Sequence, residues 1–167
     1  MKLKDHARMH VATFDVSGID TTSEFWDEDD TRSKDPYWCV HECRSLILRW
    51  NWKQRHENAT IQPIVERLES NFCGRAIRVF LADLPAGGKI PRHSDEGSQL
   101  VDKVNRLTMA ITTNPDVHFI IGDIRYVFAP GECYEINNLM HHEVYNRGST
   151  SRIHLIVDVL NEDNSIR

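Results

Sequence analysis

Several kinds of residue are scarce in this chain, and each scarcity excludes something. Four cysteines among 167 residues, at Cys39, Cys43, Cys73 and Cys133, are too sparse for a disulfide framework. We read them as structural, since free thiols in a reducing compartment behave as small hydrophobes. No stretch approaches the ~20 consecutive apolar residues that a membrane-spanning helix needs. The start, Met1 to His6, lacks the apolar run of a signal peptide, so the expected setting is the cytoplasm, away from membranes. Basic residues do not predominate: 20 Lys and Arg against 25 Asp and Glu leave a net charge of -5. That balance gives no stripe to grip a phosphate backbone, and nucleic acid is not an expected partner. Internal repeats and low-complexity tracts are missing, and the length suits one well-buried core rather than two.

What is present divides into three segments of one expected domain spanning 1–167. Residues 1–44 alternate polar and aromatic side chains, with an acidic run at Asp27 to Asp30 and a turn signal at Asp35-Pro36, and read as a loop-rich arm. Within 45–75, Leu46, Leu48, Trp50 and Trp52 fall on alternate positions, as in a half-buried strand. The spacing of Ile61, Ile64, Val65, Leu68 and Phe72 is helical, with Thr60 placed as cap, Pro63 in the first turn and Cys73-Gly74 as the stop. From 76 to 160 the pattern becomes eight short β-type runs separated by turns such as Pro85 to Gly88, Gly122-Asp123 and Pro130-Gly131. Strands at this spacing predict a mainly β fold, a barrel or jelly roll with a helix packed outside.

On that fold a set of separated residues acquires meaning. His93 and Asp95 are two apart, so on a strand they share a face and both reach one metal. A second imidazole would come from His141 or His142, 47 residues after Asp95 in the case of His142. Choosing His142 leaves Arg152 ten residues on, across a turn and on a strand expected to pair beside it. Two imidazoles and one carboxylate occupy one face of an octahedral Fe(II) and leave the other positions open. An arginine pointing into an apolar barrel needs an anionic partner, because an isolated buried guanidinium is very costly. A protein acid such as Asp158 or Glu143 could serve. With a metal motif upstream, the distal carboxylate of 2-oxoglutarate fits better, because the 2-keto acid end can chelate the iron. Cys39, His41 and Cys43 could also share a strand face as zinc ligands, but no partner pair stands at a zinc-finger spacing. Asn58-Ala59-Thr60 fits a glycosylation acceptor and means little without a secretory signal.

Residues from about Arg78 to Leu160 resemble the aspartyl/asparaginyl β-hydroxylase-like group of Fe(II)/2-oxoglutarate dioxygenases. The matching pieces are Leu84 to Ile90 ahead of His93-Ser94-Asp95, then Arg106-Leu107-Thr108, Pro130-Gly131-Glu132, His142 to Asn146, and Arg152 to Asp158. The resemblance implies a double-stranded β-helix (jelly-roll, cupin-like), with iron held by His93, Asp95 and His142. It also implies that Arg152 grips the distal carboxylate of 2-oxoglutarate and that Arg106 lies at the cosubstrate's other end. Asp95 is present where some animal members have no carboxylate ligand, and Thr108 stands where those members have a histidine that touches the cosubstrate.

The implied activity is hydroxylation of a C–H bond by Fe(II), 2-oxoglutarate and O2, with a peptide, protein or free amino acid as substrate. No separate acid or base is needed, so His118, His141 and His154 read as supporting or core histidines. Arg49, Trp50, Trp52 and the acidic arm are candidate substrate contacts. The rival readings are a non-catalytic cupin-like binding module and a metal cupin enzyme that works without 2-oxoglutarate.

Overall fold

The computed structural model describes residues 6–23, 26, 43–96 and 103–161. Among them run eleven strands and one helix: β1 (Arg8–Thr13), β2 (Arg44–Trp50), β3 (Lys53–Gln54), α1 (Gln62–Phe72), β4 (Gly74–Leu84), β5 (Lys89–His93), β6 (Val104–Thr112), β7 (Val117–Ile121), β8 (Ile124–Tyr126), β9 (Glu132–Ile136), β10 (His142–Asn146) and β11 (Arg152–Asn161). They form a seven-stranded sheet in the order β1-β9-β6-β11-β4-β2-β3 and a four-stranded sheet in the order β5-β10-β7-β8. All the strand pairs are antiparallel. Two facing sheets with strands crossing between them make the jelly roll that the sequence predicts.

Sequence and burial differ between the sheets for one reason. The central strands of the larger sheet are covered on both faces, so β4 and β11 are buried almost throughout. Outside, Leu46, Leu48, Val79, Leu81, Leu155 and Val157 pack under Ile64, Val65, Leu68 and Phe72 of α1. Inside, Leu84, Ala110, Tyr134 and Ile136 meet Val117, Phe119, Ile121 and Val144 of the smaller sheet. β7 and β10 have only one covered face, and each alternates strictly between buried and part-exposed residues.

Three local expectations are corrected, and a fourth, the stop of α1 at Cys73-Gly74, holds with Cys73 as the cap. The chain's opening is not wholly a loop, since β1 pairs along β9 at the sheet edge. Its polar side chains hid it, because an edge strand needs little apolar patterning. β2 is buried rather than half-buried: Leu46, Ile47 and Leu48 are all inside, and Trp52 lies beyond the strand, half-exposed and at φ 72° in the turn to β3. Thr60 does not cap α1; Ile61 occupies that place without a side-chain bond, and Asn58 Oδ1 accepts from the Thr60 and Ile61 N–H groups instead. Cys73, at φ 48° and ψ 47°, takes the left-handed stop of α1. Gly74 already belongs to β4, where a Cβ would stand 2.4 Å from the Leu160 carbonyl oxygen.

Asn146, fully buried at the end of β10, ties the two sheets together. Its Nδ2 donates to the carbonyls of Leu84 (3.0 Å), Pro85 (3.0 Å) and Thr150 (2.8 Å), and its Oδ1 accepts from Asn114 Nδ2 at 3.1 Å. Backbone bonds from Gly87 N–H to Asn146 O and from Asn146 N–H to Gly88 O close the same junction. Replacing Asn146 by Ala strands the buried Leu84 carbonyl and removes the bonds to Pro85, Thr150 and Asn114, so urea unfolding should show a loss of about 2 kcal/mol or more at an unchanged slope. A loss under about 0.5 kcal/mol would deny Asn146 this role.

Candidate metal centre

His93 ends β5 and His142 begins β10, and the two are directly opposed in the ladder. Their ring centroids are 4.3 Å apart. Each Nδ1 lies against a backbone carbonyl, His93 to Pro91 at 2.8 Å and His142 to Met140 at 2.9 Å. A carbonyl only accepts, so each Nδ1 must carry the hydrogen and each lone pair is fixed on Nε2. Burial pushes the His142 imidazole down to about 4, which keeps it neutral and able to ligate near neutrality.

Asp95 joins the pair by a route the alternation argument did not foresee. It stands beyond the end of β5, so no pleat aims it. Asn138, in the turn before β10, does so instead. The Asp95 N–H donates to the Asn138 carbonyl at 3.0 Å, and Asn138 Nδ2 donates to Asp95 Oδ2 at 3.1 Å. Arg106 Nη1 donates to the same Oδ2. The other oxygen, Oδ1, faces His93 Nε2 at 3.7 Å. Burial alone would raise this carboxyl, but the Arg106 guanidinium first, with the Asn138 hydrogen bond and whatever charge the imidazoles carry when protonated, outweighs it and holds it below the usual carboxylate range. One ligand atom from each of His93, Asp95 and His142 lies within 4.8 Å of the others, the only such cluster among the described residues. Two imidazole nitrogens and one carboxylate oxygen fit a divalent iron with open positions. His141, the exposed neighbour, lies outside the cluster.

Arg106 projects from β6 toward this cluster. It forks onto Asp158 of β11, with Nε and Nη2 each 2.7 Å from a carboxylate oxygen. Burial works against the guanidinium's charge, and the two carboxylates, Asp158 and Asp95, more than restore it. Asp158 also lies 3.5 Å from Arg78 of β4, whose guanidinium stacks on Trp50 at 4.9 Å. Trp50, Arg78, Asp158 and Arg106 are register partners in turn across β2, β4, β11 and β6, so they form one transverse row beside the metal site. The signal for this row was the Asp158 that closes the Arg152 to Asp158 segment.

Arg152 opens β11, but not beside β10. β11 pairs with β4 and β6, and the turn after Asn146 carries the chain from one sheet to the other. Arg152 therefore faces the metal-bearing strands across the barrel. Its side chain is buried to 1% exposure. No carboxylate stands within ion-pair distance among the described residues: Asp158 belongs to Arg106 and Arg78, while Glu143 takes the Tyr145 hydroxyl and Arg92. Its Nε has no hydrogen-bond partner among the described residues, and burial, only partly offset by the charge of Asp83, lowers the guanidinium to about 10. Phe119 lies 5.7 Å from Arg152 Cζ and 6.5 Å from the His142 ring centroid. The guanidinium can thus be no farther from His142 than those two distances end to end, a gap that a short diacid can bridge.

The other expected residues are placed less centrally. Arg49 binds Glu69 of α1 at 3.1 Å and the Ala76 carbonyl at 3.0 Å, on the helix side of the sheet. Trp52 is outside as well, and only Trp50 stands in the interior row. The acidic run, Cys39 and His41 lie outside the described residues, and Cys43 is part-buried. Cys133 is buried and its thiol is pushed up to about 12, as for an inert core residue, whereas Cys73 is exposed.

The family model for aspartyl/asparaginyl beta-hydroxylase matches residues 15–162. The chain belongs to that family. Membership makes it an enzyme, a hydroxylase, and the cofactors of such a hydroxylase, Fe(II), 2-oxoglutarate and O2, suit the donor set just described. Solved structures share the fold at low identity. A Pseudomonas putida prolyl-4-hydroxylase aligns with TM-score 0.62 at 9% identity, over 96% of this chain and 95% of its own. The viral collagen prolyl hydroxylase of Paramecium Bursaria Chlorella virus-1 gives 0.56 at 10%, over 72% and 80%. A 2OG-Fe(II) oxygenase family oxidoreductase from Burkholderia pseudomallei gives 0.53 at 17%, over 76% and 72%. A search of curated protein sequences finds no match.

Because Asn138 aims Asp95, replacing it with Ala should weaken Mn(II) or Fe(II) binding by about tenfold to a hundredfold while the circular dichroism spectrum is retained. Metal affinity unchanged within twofold would show that Arg106 alone suffices.

Proposed function

We propose that this protein is a non-haem Fe(II)/2-oxoglutarate-dependent dioxygenase that hydroxylates a C–H bond of an amino-acid residue. In this reading His93, Asp95 and His142 hold the iron, Arg152 binds the distal carboxylate of 2-oxoglutarate, and Arg106 lies at the cosubstrate's metal-proximal end. The observation that carries it is Arg152, a buried cation with no carboxylate within ion-pair distance among the described residues and only the more distant charge of Asp83 to offset its burial, on the inward face opposite the strand that carries His142. Of the anions that could neutralise it, a diacid with a 2-keto end also uses the open positions of the metal.

Iron bound by His93, Asp95 and His142 would supply activation of O2, with 2-oxoglutarate as the co-reductant: one oxygen atom would end in succinate as CO2 is lost, and the other in the hydroxylated C–H bond. The chain's own part is placement. The Pro91 and Met140 carbonyls fix the imidazole tautomers, and Asn138 and Arg106 leave Asp95 one oxygen to offer. The sheet interior around Phe119 keeps bulk water from the path between Arg152 and the metal.

The substrate class rests on the family and on the neighbours. The family is named for hydroxylation of aspartyl and asparaginyl residues, and two of the similar structures are prolyl hydroxylases. A peptide, a protein or a free amino acid is accordingly the substrate. Trp50 and Arg78 are its nearest candidate contacts, at the end of the row that begins with Arg106.

The test is turnover with Fe(II), 2-oxoglutarate and O2 against a panel of amino acids and Asp-, Asn- and Pro-containing peptides, with succinate and a product 16 mass units heavier as readouts. Arg152→Ala should raise the KM for 2-oxoglutarate at least about tenfold, since a charge-assisted bidentate pair is lost. Metal binding should remain. Unchanged dependence on 2-oxoglutarate in that variant would remove Arg152 from the site.

A further inference from the structure

The mechanism above uses Arg152 and leaves its neighbour unexplained. His154 is buried to 1% exposure, two residues along β11 on the same inward face. Its ring lies 6.4 Å from Phe119 and 5.4 Å from Phe128. Nδ1 is 3.0 Å from the Thr108 hydroxyl of β6. Nε2 is buried and has no hydrogen-bond partner among the described residues, the same condition as Arg152 Nε. Native interiors rarely leave a polar nitrogen unsatisfied, and two adjacent ones on one strand face call for a shared acceptor. Burial first, and then the charge of Arg152, push the imidazole well below its ordinary value, so it is neutral beside the guanidinium.

We propose that His154 is a second binding residue for the distal carboxylate of the cosubstrate, donating from Nε2 beside Arg152, with the Thr108 hydroxyl setting the tautomer by donating to Nδ1. This rests on the function proposed above and adds to it the residue that selects a diacid over a monoacid. A carboxylate has lone pairs enough for both nitrogens, and its charge neutralises the guanidinium. A hydroxyl donor at Nδ1 leaves the ring hydrogen on Nε2, where a carboxylate needs it. The reverse tautomer would set a lone pair in the dry interior with no donor bound to it. Thr108 is then a positioning residue, acting through the ring of His154.

The experiment measures calorimetric affinity of the Mn(II)-loaded protein for 2-oxoglutarate and for 2-oxopentanoate, which keeps the metal-chelating end and lacks the distal carboxylate. The variants are His154→Phe, which retains a ring without the N–H, and Thr108→Val, which retains shape without the hydroxyl. The expected result is that His154→Phe binds 2-oxoglutarate about tenfold more weakly and 2-oxopentanoate as well as wild type does, with a smaller selective loss for Thr108→Val. Equal affinities for 2-oxoglutarate in wild type and His154→Phe would overturn the proposal. So would an equal loss for both acids, which marks a packing effect. If His154→Phe does not fold, Thr108→Val decides: a loss confined to 2-oxoglutarate supports the assignment, and any other outcome rejects it. A wild type that holds 2-oxoglutarate no tighter than 2-oxopentanoate would sink the proposed role of Arg152 itself, a failure distinguishable from that of His154.

Discussion

A guanidinium buried in a β-barrel, with no carboxylate within ion-pair distance among the described residues, is the constraint on which the proposed site depends. Burying such a charge alone costs far more than a domain's net stability can spare, so the protein must keep it near something anionic or leave room for an anion to arrive. Arg106 shows the first solution, with Asp158 and Asp95 around it. Under the proposed function Arg152 takes the second. The same sheet holds both, Arg106 paired by the chain's own carboxylates and Arg152 the one that the proposed function assigns to a ligand.

The division of labour between the sheets follows from their surroundings. The larger sheet is sandwiched between α1 and the barrel interior, so it is stiff and dry, and it carries the charged row and Arg152. The smaller sheet has one open face and carries His93 and His142 at strand ends, where the metal can be reached from the mouth. Asp95 sits just off that sheet, and its orientation is borrowed from a turn and from the opposite wall. The three ligands thus report on the closure of the whole barrel rather than on one strand.

Much of this was legible in the sequence. The β runs after Gly74 match the observed strands to within a few residues, because turn residues separate them and each run has a buried face. The helix was legible from Ile61 to Phe72 for the same reason. β1 was not, since an edge strand with Arg8 and His10 carries no apolar stripe, and Thr60 was misassigned because Asn58 competes for the same N–H groups. At the site, residue types and order pointed to His93, Asp95, His142 and Arg152, and the structure brings the first three together. Two steps of that reasoning needed correction: Asp95 is off the strand, and Arg152 lies on the opposite sheet rather than on a strand beside β10. Asn138 left no trace in the sequence, because a single asparagine in a turn has many ordinary uses. His154 was visible only as a supporting or core histidine, and what singles it out is a buried Nε2 without a partner among the described residues, which requires coordinates.

The most direct test of the account is anaerobic titration of the Fe(II)-loaded protein with 2-oxoglutarate, watching for the weak visible charge-transfer band that a 2-keto acid produces on chelating Fe(II). The account predicts that the band appears in the wild type and that Arg152→Ala needs much more 2-oxoglutarate to reach it. Iron that is bound yet gives no band at saturating 2-oxoglutarate would contradict the account.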